Sequence, residues 1–260
     1  MADFEDVDFT KDPKYVRGDI TPPGEKFAGV REYGDVAPTI DESEYPALVE
    51  KMEEDGGGIE RLIEEVKDQT KEGSCVGNAD AMATEIKGKQ QFGKLVYPIL
   101  SAISLYKRIG SSPNSGANIG DALEESAKNG ILPLNNEANK AKYPHTMPAT
   151  GFRTPFPQGW EETAKRFRTQ EWFILKGQAQ LMTALLHGHP VVVGRSGHSI
   201  CYCRPMYRSG KLGVLYVNSW GDWGFGAGGL SSGFGWDSLS MVRSAAQWAF
   251  CVRAVVDPQL

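Results

Sequence analysis

The sequence predicts an α+β protein with two lobes, a helical lobe first and an antiparallel β lobe second, with a cleft between them. Apolar residues between about 60 and 140 recur at helical spacings, whereas the chain from about 150 to 256 contains short β-rich runs around one further helix. With 260 residues, 40% of them hydrophobic and 10% aromatic, the chain can bury a sizeable core. We therefore divide it into an N-terminal arm over 1–50 and a two-lobed domain over 51–260.

The N-terminal arm is expected to be extended, because it combines many charges with prolines and shows little periodicity. Its prolines are Pro13, Pro22, Pro23, Pro38 and Pro46. A segment this polar has little reason to order unless something holds it. We expect residues 11–46 to pack along the two lobes, where they either cross the cleft or lie elsewhere, or to bind a protein partner.

The first half of the domain is predicted to be helical. Its expected helices lie at 59–66, from Ser74 or Cys75 to Gly88, at 94–109 and at 119–128. Gly130 and Pro133 follow the last of these and are typical of a helix end. A lobe of packed helices is therefore expected over about 60–140.

The second half, over about 150–256, is predicted to be mainly strands. One helix at 178–187 is expected to end at Gly188, and the β-rich runs lie at 191–194, 198–203, 214–218 and 248–256. A hairpin with its loop centred on Arg208 would set His198 directly opposite Asn218. Opposed side chains share a face of the sheet, so these two would be neighbours.

Composition excludes several classes of protein. The chain has 28 basic and 33 acidic residues and a net charge of -5, which argues against nucleic acid or an anionic membrane as a partner. No apolar run approaches the ~20 residues that a membrane helix needs, and the acidic N-terminus does not resemble a secretory signal. The 4 cysteines are too few for a disulfide framework, which predicts a reducing, cytoplasmic location.

Cys75 is the first candidate for chemistry. It is expected in the first turn of a helix, where unpaired amides and the helix dipole favour thiolate over thiol. A buried structural cysteine is the alternative, since free cysteines are often buried. Gln69 lies shortly upstream, so its side-chain amide could form an oxyanion site together with the Cys75 amide, although a glutamine in a polar loop is usually only solvated.

His198 is the favoured general base among the histidines. Asn218 could accept a hydrogen bond from one of its ring nitrogens while the other faces Cys75, which gives a nucleophile, a base and an orienting group. His187 and His189 lie at the end of a predicted helix and are read as structural. His145 is read as a loop residue.

No metal or cofactor is expected. Cys201 and Cys203 invite a metal site with His198, but strand alternation places the two cysteines on the opposite face from the histidine. The glycines at 224, 226 and 229 match the spacing of a dinucleotide fingerprint, but no strand feeds them and no amphipathic helix follows. This stretch is interpreted as a glycine-rich loop.

Three sequence blocks resemble those of the papain-like cysteine peptidases. They are Val66-Lys67-Asp68-Gln69 with Gly73-Ser74-Cys75, Gly197-His198-Ser199, and Asn218-Ser219-Trp220-Gly221 with Trp223-Gly224. The blocks occur in the order that the family shows, and the resemblance extends over about 60–256. It implies a papain-like two-lobed fold, and it makes residues 51–260 a catalytic domain.

The resemblance also implies roles for individual residues. Cys75 would be the nucleophile, His198 the base, Asn218 the group that orients the imidazole, and Gln69 the oxyanion donor. Trp220 would shield the hydrogen bond between His198 and Asn218 from water.

The sequence departs from the family pattern at three places. Val76 stands where the family usually has tryptophan, and Glu72 replaces a disulfide-forming cysteine of secreted members. The run from Val191 directly into His198 lacks the family's longer excursion, which walls one side of the cleft. Subsite specificity is therefore not transferred from the family.

These observations predict a cysteine peptidase that hydrolyses peptide or protein substrates through a thioester intermediate. The same residues would serve an aminopeptidase, a deamidase or a transpeptidase, because they determine acyl transfer and leave the acceptor open. A different class remains as the alternative: a structural or interaction protein with a blocked cleft, for example a component of a virion.

Overall fold

The computed structural model describes residues 4–11, 16–20 and 29–259. Its helices are α1 (Tyr45–Glu54), α2 (Cys75–Phe92), α3 (Ala102–Ile109), α4 (Ile119–Asn129), α5 (Glu137–Lys140), α6 (Trp160–Ala164), α7 (Gly177–Leu186) and α8 (Leu239–Ala245). Its strands are β1 (Thr169–Leu175), β2 (Val191–Arg195), β3 (His198–Arg208), β4 (Lys211–Val217), β5 (Phe234–Ser238) and β6 (Ala249–Val255). They form a 6-stranded antiparallel sheet in the order β1-β6-β2-β3-β4-β5. The predicted α+β class, with helices before an antiparallel sheet, is confirmed.

The sheet packs a different layer against each face, because side chains alternate along a strand. One face carries Cys201 and Val217 and packs against α2. The other carries Ile200 and Tyr202 and packs against α7 and α8. Cys201 and Cys203 therefore lie on the same face of the sheet, the face that packs against the helical core.

Helix α2 runs through the middle of the helical core and begins with Cys75. Almost its entire length is buried, including the charged residues Glu85 and Lys89. Within the described part of the chain, no helix is long and apolar enough to cross a membrane. The packing around this buried helix therefore also determines the position of its first residue, Cys75.

Three predicted helix extents are wrong, and the first is the helix expected at 59–66, which is a short 3-10 helix over Ile59–Leu62. Helix α2 continues past Gly88 to Phe92, because Gly88 serves close packing: a Cβ there would lie 2.4 Å from the ring of Tyr97. Helix α3 begins only at Ala102, after Ser101 has capped it by accepting a hydrogen bond from the Ser104 amide.

The arm is also less extended than expected, since α1 occupies its last part. Pro46 lies in the first turn of α1, where the missing N–H costs nothing. Tyr45 and Val49 anchor the helix in the protein interior. The prediction for positions 12–15 and 21–28 falls outside the described residues.

The β3–β4 hairpin does not have the predicted register. Its two-residue turn is Ser209-Gly210, both with positive φ, and Arg208 pairs with Lys211. A β-bulge follows between Tyr202 and Arg204. His198 is therefore not directly opposite Asn218, as the sequence had suggested.

Candidate active site

Cys75 is completely buried at the N-terminus of α2. Backbone groups of Ser199, Gly18 and Val76 interact with its thiol. Because Ser199 directly follows His198, the contact with Ser199 brings the start of β3 next to the cysteine. The helical lobe thus supplies the sulfur, and the β lobe supplies the imidazole.

His198 and Asn218 are joined by a hydrogen bond of 2.7 Å between Nε2 and Oδ1. Asn218 Oδ1 also accepts from the Ser219 backbone amide at 2.7 Å, and this amide can only donate. The oxygen of Asn218 must therefore face the imidazole, so Nε2 carries the proton in the neutral ring. Nδ1 is then the nitrogen left to accept a proton, and it is buried without a hydrogen-bond partner among the described residues.

Aromatic rings surround the imidazole and exclude water from it. The Trp220 ring lies 4.7 Å from the imidazole, centroid to centroid, and the Phe9 ring lies at the same distance. His198 itself is fully buried. The position of Trp220 agrees with its expected shielding role, whereas nothing in the sequence pointed to Phe9.

Gln69 is not solvated, as a loop glutamine would be, but fully buried. Its Oε1 accepts a hydrogen bond of 2.7 Å from the Ser219 hydroxyl, so the β lobe determines which way the amide points. Its Nε2 donates to the carbonyl oxygens of Val16 at 2.8 Å and Glu72 at 2.9 Å. The side-chain amide of Gln69 therefore already holds a peptide carbonyl from the arm.

Residues 16–20 of the arm, which we call the cleft segment, pass between the two lobes. The Gly18 carbonyl accepts from the Ala117 amide of the helical lobe at 2.7 Å, and the Asp19 amide donates to the Gly197 carbonyl of the β lobe at 2.9 Å. A Cβ on Gly18 would lie 1.9 Å from the Gly73 carbonyl oxygen, so only glycine fits there. The cleft segment is thus bound as an extended peptide directly over Cys75.

Burial changes the acid–base properties of Cys75 and His198. Burial raises the pKa of the Cys75 thiol to about 12, and the charge of Asp19 adds to this rise. Burial lowers the pKa of His198 to about 4; the hydrogen bond to Asn218 opposes this change and the charge of Arg195 reinforces it. The expectation of a thiolate is therefore wrong for the closed chain, because desolvation outweighs the helix N-terminus.

His187 and His189, the other histidines near a predicted helix end, each lie close to a polar side chain away from Cys75. His187 Nδ1 lies 2.8 Å from the Tyr33 hydroxyl, and His189 Nδ1 lies 3.1 Å from Lys87 Nζ. Among the described residues, no group of histidine, cysteine and acidic side chains has the arrangement of a metal site. A cavity of about 780 Å³ lies near Met52 and Lys94, but Cys75 does not line it.

Sequence reasoning missed Ser219, Phe9 and the path of the cleft segment. Ser219 belongs to one of the recognised blocks: its hydroxyl donates to Gln69, which explains why a small hydroxyl suits that position, and its backbone amide donates to Asn218. The other two depend on contacts between residues far apart in the chain, and no local pattern indicates them.

Comparisons with known proteins identify the fold. No protein-family model and no curated protein matches the chain. Xylellain, a cysteine protease from Xylella fastidiosa, superposes with a TM-score of 0.59 at 18% identity, over 94% of this chain and 98% of that one. Procathepsin L2 proteinase from the larval midgut of Tenebrio molitor gives 0.63 at 18% identity, over 96% and 82%. A stem bromelain precursor gives 0.54 at 15% identity, over 96% and 80%. The chain therefore has the two-lobed fold of the papain-like cysteine proteases.

Proposed function

We propose that the chain is a cysteine peptidase whose own arm keeps the cleft closed. The observation that carries this proposal is the hydrogen bond of 2.8 Å from Gln69 Nε2 to the Val16 carbonyl, two residues before Gly18, whose backbone interacts with the Cys75 thiol. A peptide carbonyl held by a side-chain amide next to a thiol is the arrangement that acyl transfer needs. The arm thus marks where a substrate peptide would bind.

The chemistry follows from the positions of four groups. His198 Nδ1 takes the proton of Cys75, and the sulfur attacks the carbonyl carbon of the substrate. Gln69 Nε2 and the Cys75 amide stabilise the negative oxygen that forms. The protonated imidazole then gives its proton to the departing amine, which leaves a thioester, and water hydrolyses the thioester with the imidazole again as base.

Opening the cleft supplies the electrostatic change that this reaction requires. In the closed chain both groups are held neutral by burial, with the negative Asp19 beside the thiol. When the cleft segment leaves, water reaches the pair and this negative charge is removed. The pKa of Cys75 then falls and that of His198 rises, so that an ion pair of thiolate and imidazolium becomes accessible.

The same occlusion favours a second candidate, a structural or interaction protein that retains the fold. A permanently closed cleft would leave Cys75 without any contact to substrate. The two candidates differ in what happens when the cleft segment is removed from the cleft.

A single substitution can make that distinction. Gly18→Val should expel the cleft segment, because its Cβ would overlap the Gly73 carbonyl. Ile20→Ser is the matched control, since the Ile20 side chain is 62% exposed and its backbone bonds are retained. Each protein is incubated with a peptide library and the products are identified by mass spectrometry.

If the chain is a peptidase, Gly18→Val should give new cleavage products. Ile20→Ser should give no more product than the unmodified chain. The products must disappear when Cys75→Ala is added to Gly18→Val. Release of ammonia or transfer to an added amine, without peptide cleavage, would indicate a deamidase or a transpeptidase. An open cleft with no reaction at all would favour the structural role.

A further inference from the structure

The arm contains a second ordered part that is separate from the cleft. Residues 4–11, which we call the edge segment, extend the sheet beside β5: the Asp6 amide donates to the Trp236 carbonyl at 3.0 Å, and the Trp236 amide donates to the Phe4 carbonyl at 3.0 Å. The Asp6 carboxylate accepts from both the amide and the hydroxyl of Ser238, each at 2.7 Å. These bonds attach the edge segment to the β lobe.

Phe9 is the residue by which the edge segment reaches the site. Its side chain is only 1% exposed. Its ring centroid lies 4.7 Å from that of His198 and 5.3 Å from that of Trp220, and these two are 4.7 Å apart. The three rings therefore form a compact triangle, in which each touches the other two.

Phe9 is itself held firmly in place. The Arg195 guanidinium lies 4.8 Å from the centre of its ring, donates to the Val7 carbonyl and pairs with the buried Asp237. None of these three contacts involves the cleft segment. A ring held by the β lobe, with its face or edge against the imidazole, limits rotation of the imidazole about its side-chain bonds and keeps water from the bond to Asn218.

We propose that Phe9 is a positioning residue for His198, so that the edge segment belongs to the active enzyme while the cleft segment does not. The inference rests on the proposed function. It means that activation has to remove residues 16–20 from the cleft and keep residues 4–11 on the β lobe. Removing the whole arm would open the cleft but leave the base poorly oriented.

The test compares Phe9→Ala and Phe9→Leu in the Gly18→Val background. The Leu variant keeps much of the apolar volume, so it separates loss of the ring from loss of packing. Phe173→Ala is the control, because Phe173 is a fully buried aromatic residue of the same core cluster. The readouts are the NMR titration of the His198 ring, the rate of Cys75 alkylation against pH, kcat and KM, and the melting temperature.

In the titration, the charged and polar groups that act on His198 are the Arg195 guanidinium and the Asn218 amide. With Phe9→Ala, water enters, so we expect the His198 titration to move to higher pH, and kcat to fall about tenfold or more with KM within about twofold. Phe9→Leu should lie between Ala and the parent. Phe173→Ala should lower the melting temperature and leave the titration in place.

The proposal is overturned if folded Phe9→Ala or Phe9→Leu has the His198 titration and the Cys75 alkylation profile of the Gly18→Val parent. Both readouts need no peptide hydrolysis, so they decide about Phe9 even if the chain proves not to be a peptidase. An equal shift with Phe173→Ala would also overturn it, since the effect would then be one of general destabilisation. Should Phe9→Ala not fold, the Leu variant decides.

Discussion

His198 and Asn218 form a hydrogen bond of 2.7 Å although they are not paired in the β3–β4 hairpin. The reason is the β-bulge between Tyr202 and Arg204, which places the extra residue Cys203 in β3. Without it, alternation would direct His198 and Asn218 to opposite faces of the sheet. One inserted residue thus brings His198 and Asn218 together.

We expect the closed chain to protect Cys75 from iodoacetamide at pH 6, because burial holds the thiol protonated. Gly18→Val should accelerate labelling of Cys75 by about tenfold or more, while Cys201, Cys203 and Cys251 stay slow. Peptide mapping after a short pulse measures all four sites, with Ile20→Ser as the control. Rapid labelling of Cys75 in the unmodified chain would contradict the closed cleft.

Substitutions of Cys75, His198 and Asn218 should reduce peptide hydrolysis to different extents. In the Gly18→Val background, Cys75→Ala and His198→Ala should abolish peptide hydrolysis. Asn218→Ala should leave a reduced but measurable kcat, since it removes only the orienting bond. Steady-state kinetics on a cleaved peptide make the comparison. Full activity of His198→Ala would exclude it as the base.

Ser219→Ala should lower kcat by about tenfold with little effect on KM. The substitution removes the hydroxyl that directs the Gln69 amide, while the Ser219 backbone still bonds to Asn218. The exposed Ser231→Ala in the same lobe is the control. Unchanged kcat in Ser219→Ala would mean that Gln69 keeps its orientation without this contact.

Glu85→Gln should destabilise the protein by about 3–5 kcal/mol. Glu85 is buried between Lys67 Nζ at 3.0 Å and Lys89 Nζ at 2.8 Å, so the substitution removes the carboxylate beside the buried Lys67 and leaves Lys89 to its pair with Glu64. Glu64→Gln is the control: Glu64 also pairs with Lys89, but its side chain is 40% exposed, and we expect a loss of about 1 kcal/mol or less. Urea unfolding at neutral pH measures both, and equal losses would contradict the argument.

Asp80→Asn should stabilise the protein increasingly as the pH rises from about 4 to 7. Burial raises the pKa of Asp80 from 3.8 to about 7, with a partial offset by Ser126, so in this range the folded state binds a proton that the unfolded state has lost. Stability of the unmodified chain therefore falls through this window, by about 1.4 kcal/mol per pH unit at most, and levels off above it. Urea titrations across this range check the slope, with the exposed Glu124→Gln as control. A difference that does not depend on pH would contradict the raised pKa.

Much of the local structure could be read from the chain. The α4 helix closed by Gly130 depends on signals within a few residues, and the helix that starts at Cys75 was indicated by apolar spacings, since the Ser74 side chain does not cap it. Strands β1 and β5 were missed. Short apolar runs and glycine-rich stretches carry weak local signals, and pairing with distant strands decides their conformation.

The sequence by itself determined the α+β class, the order of the two lobes and the residue types of the candidate site, because these follow from periodicity, capping and short motifs. The tertiary structure decided what those residues do in the closed chain. It placed Gly18 over Cys75, Phe9 against His198 and a bulge in β3, and through burial it moved the pKa of the thiol in the opposite direction from the one that the helix N-terminus favours. The physical reason is the distance along the chain over which each effect acts. Capping and alternation act over a few residues, whereas desolvation depends on every segment that the fold brings to the site.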